Sequence, residues 1–149
     1  MRQNRRFSMA DITSKKDVLR EAVASGKIEL KPSTIARIRK GTIVKGDPIA
    51  AAEIAAVLAA KNTPQTLPFC HPIPITNVLT DGKIGASSIT VQSTVKTTAK
   101  TGVEMEALTA ASTYLLTVWD MVKQYEKDAR GQYPETRIVD LRVLSKSKG

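Results

Sequence analysis

The chain has 149 residues, of which 42% are hydrophobic and 25% are charged, so one globular domain with a single core is expected. No apolar run approaches the ~18 residues of a membrane span, and no apolar segment follows the basic start, so neither a membrane protein nor a secreted one is expected. The lone cysteine, Cys70, excludes an intrachain disulfide and a zinc site built on cysteines, and it favours a cytoplasmic protein.

The formal net charge of +9 raises the alternative of a small nucleic-acid-binding domain. Arg2, Arg5 and Arg6 near the start, with Lys146 and Lys148 near the end, carry five of these charges, which leaves +4 for the body. Aromatic residues, at 4%, are too few for a platform that stacks single-stranded bases. A phosphorylated small molecule accounts for the remaining charge equally well.

The first ten residues are predicted to be a flexible basic tail, and residues 11–149 a single domain. Residues 18–31 are ambiguous. Ile28 and Leu30 alternate with charged residues, which favours a strand for the second half, whereas residues 18–24 fit either a continued strand or a helical turn.

Two helices are predicted next. The first is short, with Ser33 as its N-cap, Gly41 as its stop and a buried side formed by isoleucines: Ile35, Ile38 and Ile43. The second begins at Asp47-Pro48, because aspartate caps free amides and proline suits the first helical position. Its body, residues 49–60, is almost entirely alanine, isoleucine, valine and leucine, so burial on all sides is expected before Pro64 and Pro68 end it.

Residues 68–74 contain three prolines and are predicted to form a rigid extended segment that carries Cys70 and His71. A hairpin should follow. Its strands are predicted at residues 75–80 and 84–95, with Asp81-Gly82 as the turn.

The longest predicted helix spans Lys96 to Lys123, and Thr101 to Glu104 fit the T-x-x-E capping box at its start. A polar loop at residues 126–136 and a last strand at residues 137–144 complete the chain. The resulting order is βαββαβ, typical of a ferredoxin-like α+β domain with helices on one face of an antiparallel sheet.

Several side chains are candidates for chemistry. His71, the only histidine, fits either a local bond in a rigid turn or a proton donor or phosphate ligand. A Cys70–His71 dyad is not expected, because neighbours in an extended segment point in opposite directions. Lys45 precedes a helix start, where it either binds phosphate beside free amides or is simply solvated.

The long helix has ionisable residues at both ends. Glu104 fits a capping role, and Glu106 is free for another. Asp120 and Lys123 share a face and fit either a surface ion pair or, because the neighbours of Asp120 are apolar, a partly buried acid/base couple. Glu104 and Asp120 are sixteen residues apart, or ~24 Å on a straight helix. Either the ligand is long, the helix is broken, or two copies pair so that the start of one helix meets the end of the other. The third arrangement, an oligomer with composite sites, is our hypothesis.

Two long segments, KGDPIAAAEIAAVLAAKNTPQTLPFCHPIPI and TAKTGVEMEALTAASTYLLTVWDMVK, resemble the molybdenum cofactor biosynthesis protein C family, cyclic pyranopterin monophosphate synthase. The resemblance covers nearly the whole chain. It implies a ferredoxin-like subunit, a hexamer built as a trimer of dimers, and active sites at the dimer interface. The implied substrate is the cyclised dihydro-GTP (8S)-3′,8-cyclo-7,8-dihydroguanosine 5′-triphosphate, which yields cyclic pyranopterin monophosphate and diphosphate with no redox cofactor and no metal in the site.

The resemblance also implies which residues act. The implied catalytic residues are Lys45, Asp120 and Lys123. The implied substrate-binding residues are Arg20, Phe69, Cys70, His71, Glu104, Met105, Glu106 and Lys146. This chain departs from the family pattern in having Phe69 in place of a leucine, Trp119 in place of a tyrosine, and a longer segment between Lys123 and Lys146.

Overall fold

A computed structural model describes residues 6–149, so Arg2 and Arg5 of the predicted tail lie outside the described residues. The elements in chain order are β1 (Val18–Glu29), α1 (Pro32–Lys40), α2 (Pro48–Lys61), α3 (Thr63–Thr66), β2 (Ile75–Ile84), β3 (Ser88–Ala99), α4 (Glu104–Glu126) and β4 (Arg137–Lys148). The four strands form one antiparallel sheet in the order β2-β3-β1-β4. The predicted ferredoxin-like α+β fold is confirmed.

β1 is a strand along its full length, which resolves the ambiguous residues 18–24. It pairs with β3 from Val18 opposite Ala99 to Glu29 opposite Ser88, and its other edge pairs with β4. Its alternate residues are buried beneath the helices, among them Ala22, Ala24 and Ile28. A central strand with partners on both edges satisfies most of its backbone groups, so the ladder decides the structure where local sequence does not.

The predicted N-cap of α1 is wrong. Its cap residue is Lys31, and within residues 6–149 no side chain of α1 or of its cap residue accepts a hydrogen bond from the free amides at the start of the helix. The N–H of Lys31 instead donates to the carboxylate of Glu126, at 3.2 Å from each oxygen. The predicted stop at Gly41 is confirmed by its left-handed φ of 70°. The isoleucines predicted to be buried here are buried: Ile35 and Ile38 in α1, and Ile43 in the loop that follows it.

The start of α2 is confirmed, since Asp47 Oδ1 accepts from the N–H groups of Ile49 (2.9 Å) and Ala50 (3.3 Å). The predicted burial of α2 on all sides is wrong for the described chain. Every fourth residue faces α4 and is fully buried: Ala52, Ala56 and Ala60. Ile54 and Leu58 on the opposite face are 65% and 54% exposed. Alanines allow the two helices to approach closely, but a helix packed on one neighbour buries one face only.

The predicted turn at Asp81-Gly82 is wrong. β2 continues to Ile84, Gly82 pairs with Val91, and the turn occupies residues 85–87. A Cβ on Gly82 would lie 2.2 Å from the hydroxyl oxygen of Tyr114. The glycine therefore makes room for a tyrosine of α4 above the sheet.

α4 begins at Glu104 rather than Lys96, because residues 96–99 belong to β3. The predicted capping box is wrong: Val103 is the cap residue, and no side-chain cap closes this helix end in the described part of the chain. α4 ends at Glu126, and β4 extends to Lys148, four residues beyond the prediction. None of the helices in residues 6–149 is long and apolar enough to cross a membrane.

Candidate functional site

The eleven predicted site residues lie in two groups at opposite ends of α4. Eight lie around its first turn: Arg20, Phe69, Cys70, His71, Glu104, Met105, Glu106 and Lys146. Three lie near its last turns: Lys45, Asp120 and Lys123. The fold brings together residues that are far apart in sequence. Three segments lie beside the start of α4: the first residues of β1, the last residues of β4 and the proline-rich loop before β2.

Six residues of the first group, all except Arg20 and Lys146, line a cleft of about 440 Å³. The first turn of α4 contributes Glu104, Met105 and Glu106, and the loop before β2 contributes Phe69 to His71. This loop begins with a turn, in which Cys70 N–H donates to Leu67 C=O at 3.0 Å, and it carries no regular structure from residue 71 to residue 74. The predicted extended conformation is therefore wrong for residues 68–70, which belong to the turn, and stays a prediction for residues 71–74.

Glu106 lies at the base of this cleft and is 1% exposed. The Cys70 thiol donates to Glu106 Oε1 at 3.5 Å, while Oε2 has no hydrogen-bond partner among residues 6–149. Burial raises the pKa of the Glu106 carboxyl above its ordinary value, and the charge of Glu104 adds to the effect. A buried carboxyl group with a free oxygen is suited to bind a polar group of a ligand.

Burial also raises the pKa of the Cys70 thiol to about 11, with a smaller contribution from Glu106. The thiol therefore stays protonated at neutral pH and acts as a donor rather than a nucleophile. His71 faces another partner, because its Nε2 lies 2.8 Å from the carbonyl oxygen of Ala10. A carbonyl accepts only, so Nε2 carries the proton and Nδ1 remains the second group that this ring offers. The expectation that Cys70 and His71 do not form a dyad agrees with these contacts.

The chain before β1 covers one side of the cleft. Phe7 stacks on Phe69 with ring centroids 6.1 Å apart, and the cleft is lined by Ala10 and Ile12. The Ala10 contact was not foreseen, because a backbone carbonyl carries no signal in the sequence.

A second, smaller cleft of about 140 Å³ adjoins the first and shares Gly102 and Glu104 with it. Lys146 Nζ lies 3.6 Å from Glu104 Oε1, and Arg20 donates to Lys100 C=O at 3.3 Å. Arg20 Nε is buried and has no partner within the described chain. Glu104 therefore faces a basic neighbour from β4 rather than capping its own helix, and the cationic groups suit an anionic ligand.

The second group is centred on Asp120. Lys123 Nζ lies 3.0 Å from Asp120 Oδ1, and Lys45 Nζ lies 3.4 Å from Oδ2 and 3.0 Å from the backbone oxygen. The predicted partial burial is wrong for the described chain, in which the Asp120 side chain is 60% exposed. It lies on the face of α4 opposite Val118 and Val122, which occupy the core.

The two ammonium groups determine the charge state of this cluster. Hydrogen bonds from Lys123 and then Lys45 hold the pKa of Asp120 below its ordinary value, and the bond to Asp120 raises the pKa of Lys123. The cluster thus contains one carboxylate and two ammonium groups at neutral pH, with net positive charge. Such a cluster can orient a proton donor and stabilise a developing negative charge on phosphate.

Two aromatic side chains stand beside Asp120. Trp119 and Tyr133 meet edge to face, with centroids 5.3 Å apart, and both line a shallow depression that includes Asp120 and Lys123. Sequence reasoning missed Tyr133, because the polar loop around it shows no periodic pattern. An aromatic residue in such a loop was the one available signal.

The helix between the two groups is continuous. α4 runs unbroken from Glu104 to Glu126, which rules out a broken helix as the explanation of the separation. Glu106 and Asp120 are fourteen residues apart, or ~21 Å along the axis. A site that uses residues from both ends of α4 therefore requires either a long ligand or a second copy of the chain. Across residues 6–149, no three or more histidine, cysteine or acidic side chains are grouped so as to hold a metal ion.

Comparison with known proteins identifies the family. The MoaC family matches residues 9–149. A relative from Methanoregula boonei is 54% identical over 97% of this chain and 93% of its own length, and one from Archaeoglobus fulgidus is 55% identical over 95% and 90%. A relative from Sulfolobus acidocaldarius is 55% identical over 94% and 98%. All three are named probable cyclic pyranopterin monophosphate synthase. This protein belongs to the MoaC family.

Proposed function

We propose that this chain is a cyclic pyranopterin monophosphate synthase of molybdenum cofactor biosynthesis. It acts as a lyase on (8S)-3′,8-cyclo-7,8-dihydroguanosine 5′-triphosphate, forms cyclic pyranopterin monophosphate and releases diphosphate. Membership of the MoaC family and the names of its relatives support this reaction. The observation that carries it is the Asp120 carboxylate held between two ammonium groups from different parts of the chain.

Asp120, Lys45 and Lys123 are the proposed catalytic residues. The rearrangement of a purine-derived ring moves protons more than once; the Asp120 carboxylate can accept a proton, and a neighbouring ammonium group can donate one. Closing the cyclic phosphate expels diphosphate, whose growing charge the two lysines stabilise. The raised pKa of Lys123 keeps that ammonium group charged at neutral pH.

The eight residues at the start of α4 are the proposed substrate-binding set. Arg20 and Lys146 supply positive charge for phosphate oxygens, and their shared cleft with Glu104 is open to a ligand. Glu106 and Cys70 supply polar atoms inside a largely apolar cleft, which suits the edge of a heterocyclic ring.

Active sites are proposed to be composite, with the start of α4 from one copy facing the end of α4 from another. The ~21 Å between Glu106 and Asp120 on one continuous helix supports this arrangement. The exposed apolar side chains of Ile54 and Leu58 are consistent with contact between copies. The proposed assembly is a hexamer, as a trimer of dimers with sites at the dimer interface. The proposed location is the cytoplasm, and residues 11–149 are proposed to form one catalytic domain after a basic tail, of which Phe7 and Ala10 contact the cleft.

The reaction is tested by supplying the cyclised dihydro-GTP to the purified chain and measuring diphosphate together with the pterin product. Formation of both at matching rates is expected. Absence of both from folded, oligomeric protein would contradict the proposed function.

Composite sites are tested by co-expressing an Asp120→Asn subunit with a Glu106→Gln subunit. Each variant alone should be inactive. In a mixed dimer one site carries both defects and the other carries neither. When the two variants pair at random, about half of the dimers are mixed, so the co-expressed pair should recover about a quarter of wild-type activity. Mixed dimers without activity would rule out a site shared between copies.

A further inference from the structure

The proposed catalytic Lys45 is carried by a loop rather than by a helix or strand. Residues 41–47 connect α1 to α2, and the N–H of Gly46 donates to the C=O of Ile43 at 3.1 Å, which closes a tight turn. Ile43 anchors the loop in the core, but Val44 next to it is 79% exposed. Packing alone therefore leaves the direction of the backbone at Lys45 weakly determined.

Tyr125 of α4 supplies the missing contact. Its hydroxyl oxygen accepts the N–H of Val44 at 3.0 Å, directly before Lys45 in the chain. The Arg37 guanidinium group lies over the Tyr125 ring, 4.6 Å from its centroid. Arg37 belongs to α1, so one side chain of α4 contacts the helix before the loop and the backbone of the loop itself.

Tyr125 and Asp120 are five residues apart on the same helix, and the loop meets both. Lys45 Nζ reaches the backbone oxygen and the carboxylate of Asp120, while the preceding N–H reaches Tyr125. We propose that Tyr125 is a positioning residue, which holds the loop backbone so that the Lys45 ammonium group meets Asp120. The proposal rests on the proposed catalytic roles of Lys45 and Asp120.

Loss of the Tyr125 hydroxyl is expected to lower the turnover rate rather than the free energy of unfolding. A lysine side chain has many rotamers, so the position of its backbone determines how often its ammonium group reaches a given carboxylate. When the Tyr125 hydroxyl is absent, the exposed N–H of Val44 bonds to water, and little folding stability is lost. The population of the productive Lys45–Asp120 arrangement falls instead.

The first test is Tyr125→Phe, which keeps the ring beneath Arg37 and removes the hydroxyl. Its kcat should fall about three- to tenfold, as expected for one lost hydrogen bond, with KM nearly unchanged. Tyr114→Phe is the matched control, because it removes a hydroxyl from the same helix that has no hydrogen-bond partner in the described residues. Its kcat should equal that of the wild type.

A double-mutant cycle separates positioning from a general structural effect. In a Lys45→Ala background, Tyr125→Phe should cause no further loss, because the group that Tyr125 positions is gone. A further loss of the same size as in the wild-type background would overturn the proposal. Wild-type kcat in Tyr125→Phe would overturn it as well.

A measurement without substrate keeps this proposal separate from the proposed function. The Asp120 carboxyl group is titrated by ¹³C NMR in the full chain. The charged groups that face it are Lys123 from α4 and Lys45 from the loop, and Tyr133 lies beside Lys123. Tyr125→Phe should shift the titration upward, toward that of Lys45→Ala, and the Val44 amide should exchange faster. A wild-type titration and unchanged exchange overturn the proposal. Absence of turnover in the wild type contradicts the proposed function and leaves this NMR test decisive.

Discussion

Substitution of Glu126 by alanine removes the carboxylate that joins the end of α4 to two other parts of the chain. Glu126 is fully buried and accepts the N–H of Lys31 at the start of α1 and the hydroxyl groups of Thr34 and Thr136. Both threonines are themselves buried. The variant therefore leaves three donors without their acceptor inside the protein.

The expected loss follows from these three contacts. A buried donor that loses its partner costs about 1–3 kcal/mol, and entry of water into the space left by the side chain makes the three costs less than additive. Glu126→Ala should therefore lower the free energy of unfolding by about 3–5 kcal/mol, a large part of the total for a domain of this size. The corresponding fall in Tm is about 10 °C.

Urea denaturation followed by circular dichroism measures this loss, with an unchanged slope against urea as the sign that the transition remains two-state. Glu135→Ala is the matched control, because it makes the same substitution at an exposed position nine residues away. The control should stay within about 0.5 kcal/mol of the wild type. A loss below about 1 kcal/mol for Glu126→Ala, or an equal loss in both variants, would refute the reasoning.

Three further predictions concern the site and the core. Lys45→Ala and Asp120→Ala should each reduce diphosphate release by about 10²- to 10⁴-fold while Tm stays near that of the wild type; unfolded or fully active variants would contradict the assigned roles. Burial raises the pKa of Glu106 above its ordinary value of 4.5 in the folded state, so the folded protein retains a proton that the unfolded chain releases. The free energy of unfolding should therefore fall as pH rises from 4.5 through the raised pKa of Glu106, and Glu106→Gln should abolish that fall in urea titrations at different pH values. The same pH dependence in Glu106→Gln as in the wild type would contradict this prediction. Gly82→Ala should cost about 1–3 kcal/mol by collision with the Tyr114 hydroxyl, and Tyr114→Phe should restore part of that stability; equal stability of the single and double variants would exclude this collision.

The predictions that held depended on contacts within one or two turns of chain. Asp47 and Pro48 start α2 because the capping oxygen and the amides it binds lie two and three residues apart. Gly41 ends α1 because a left-handed residue is needed at that position. The alternation at Ile28 indicated a strand, since one face of β1 lies beneath the helices.

The predictions that failed concerned residues whose local pattern was overridden by a contact from a distant part of the chain. Ser33 and Thr101 each fit a local capping pattern, but α1 is completed by Glu126 from α4, and Glu104 pairs with Lys146 from β4. Asp81-Gly82 has the composition of a turn, yet Gly82 lies inside a strand because Tyr114 occupies the space above it. No local pattern contains the identity of a side chain that arrives from another element.

By itself, the sequence determined the α+β class, most helix and strand positions, and the resemblance that named the eleven candidate residues. These depend on periodicity, caps and shared motifs, which act over short stretches of chain. The tertiary structure alone decided that eight of those residues gather at one end of α4 and three at the other, that Asp120 is exposed, and that Glu106 is buried. The physical reason is that burial and charge pairing depend on which distant segments come into contact, and a continuous helix keeps its two ends apart whatever their chemistry.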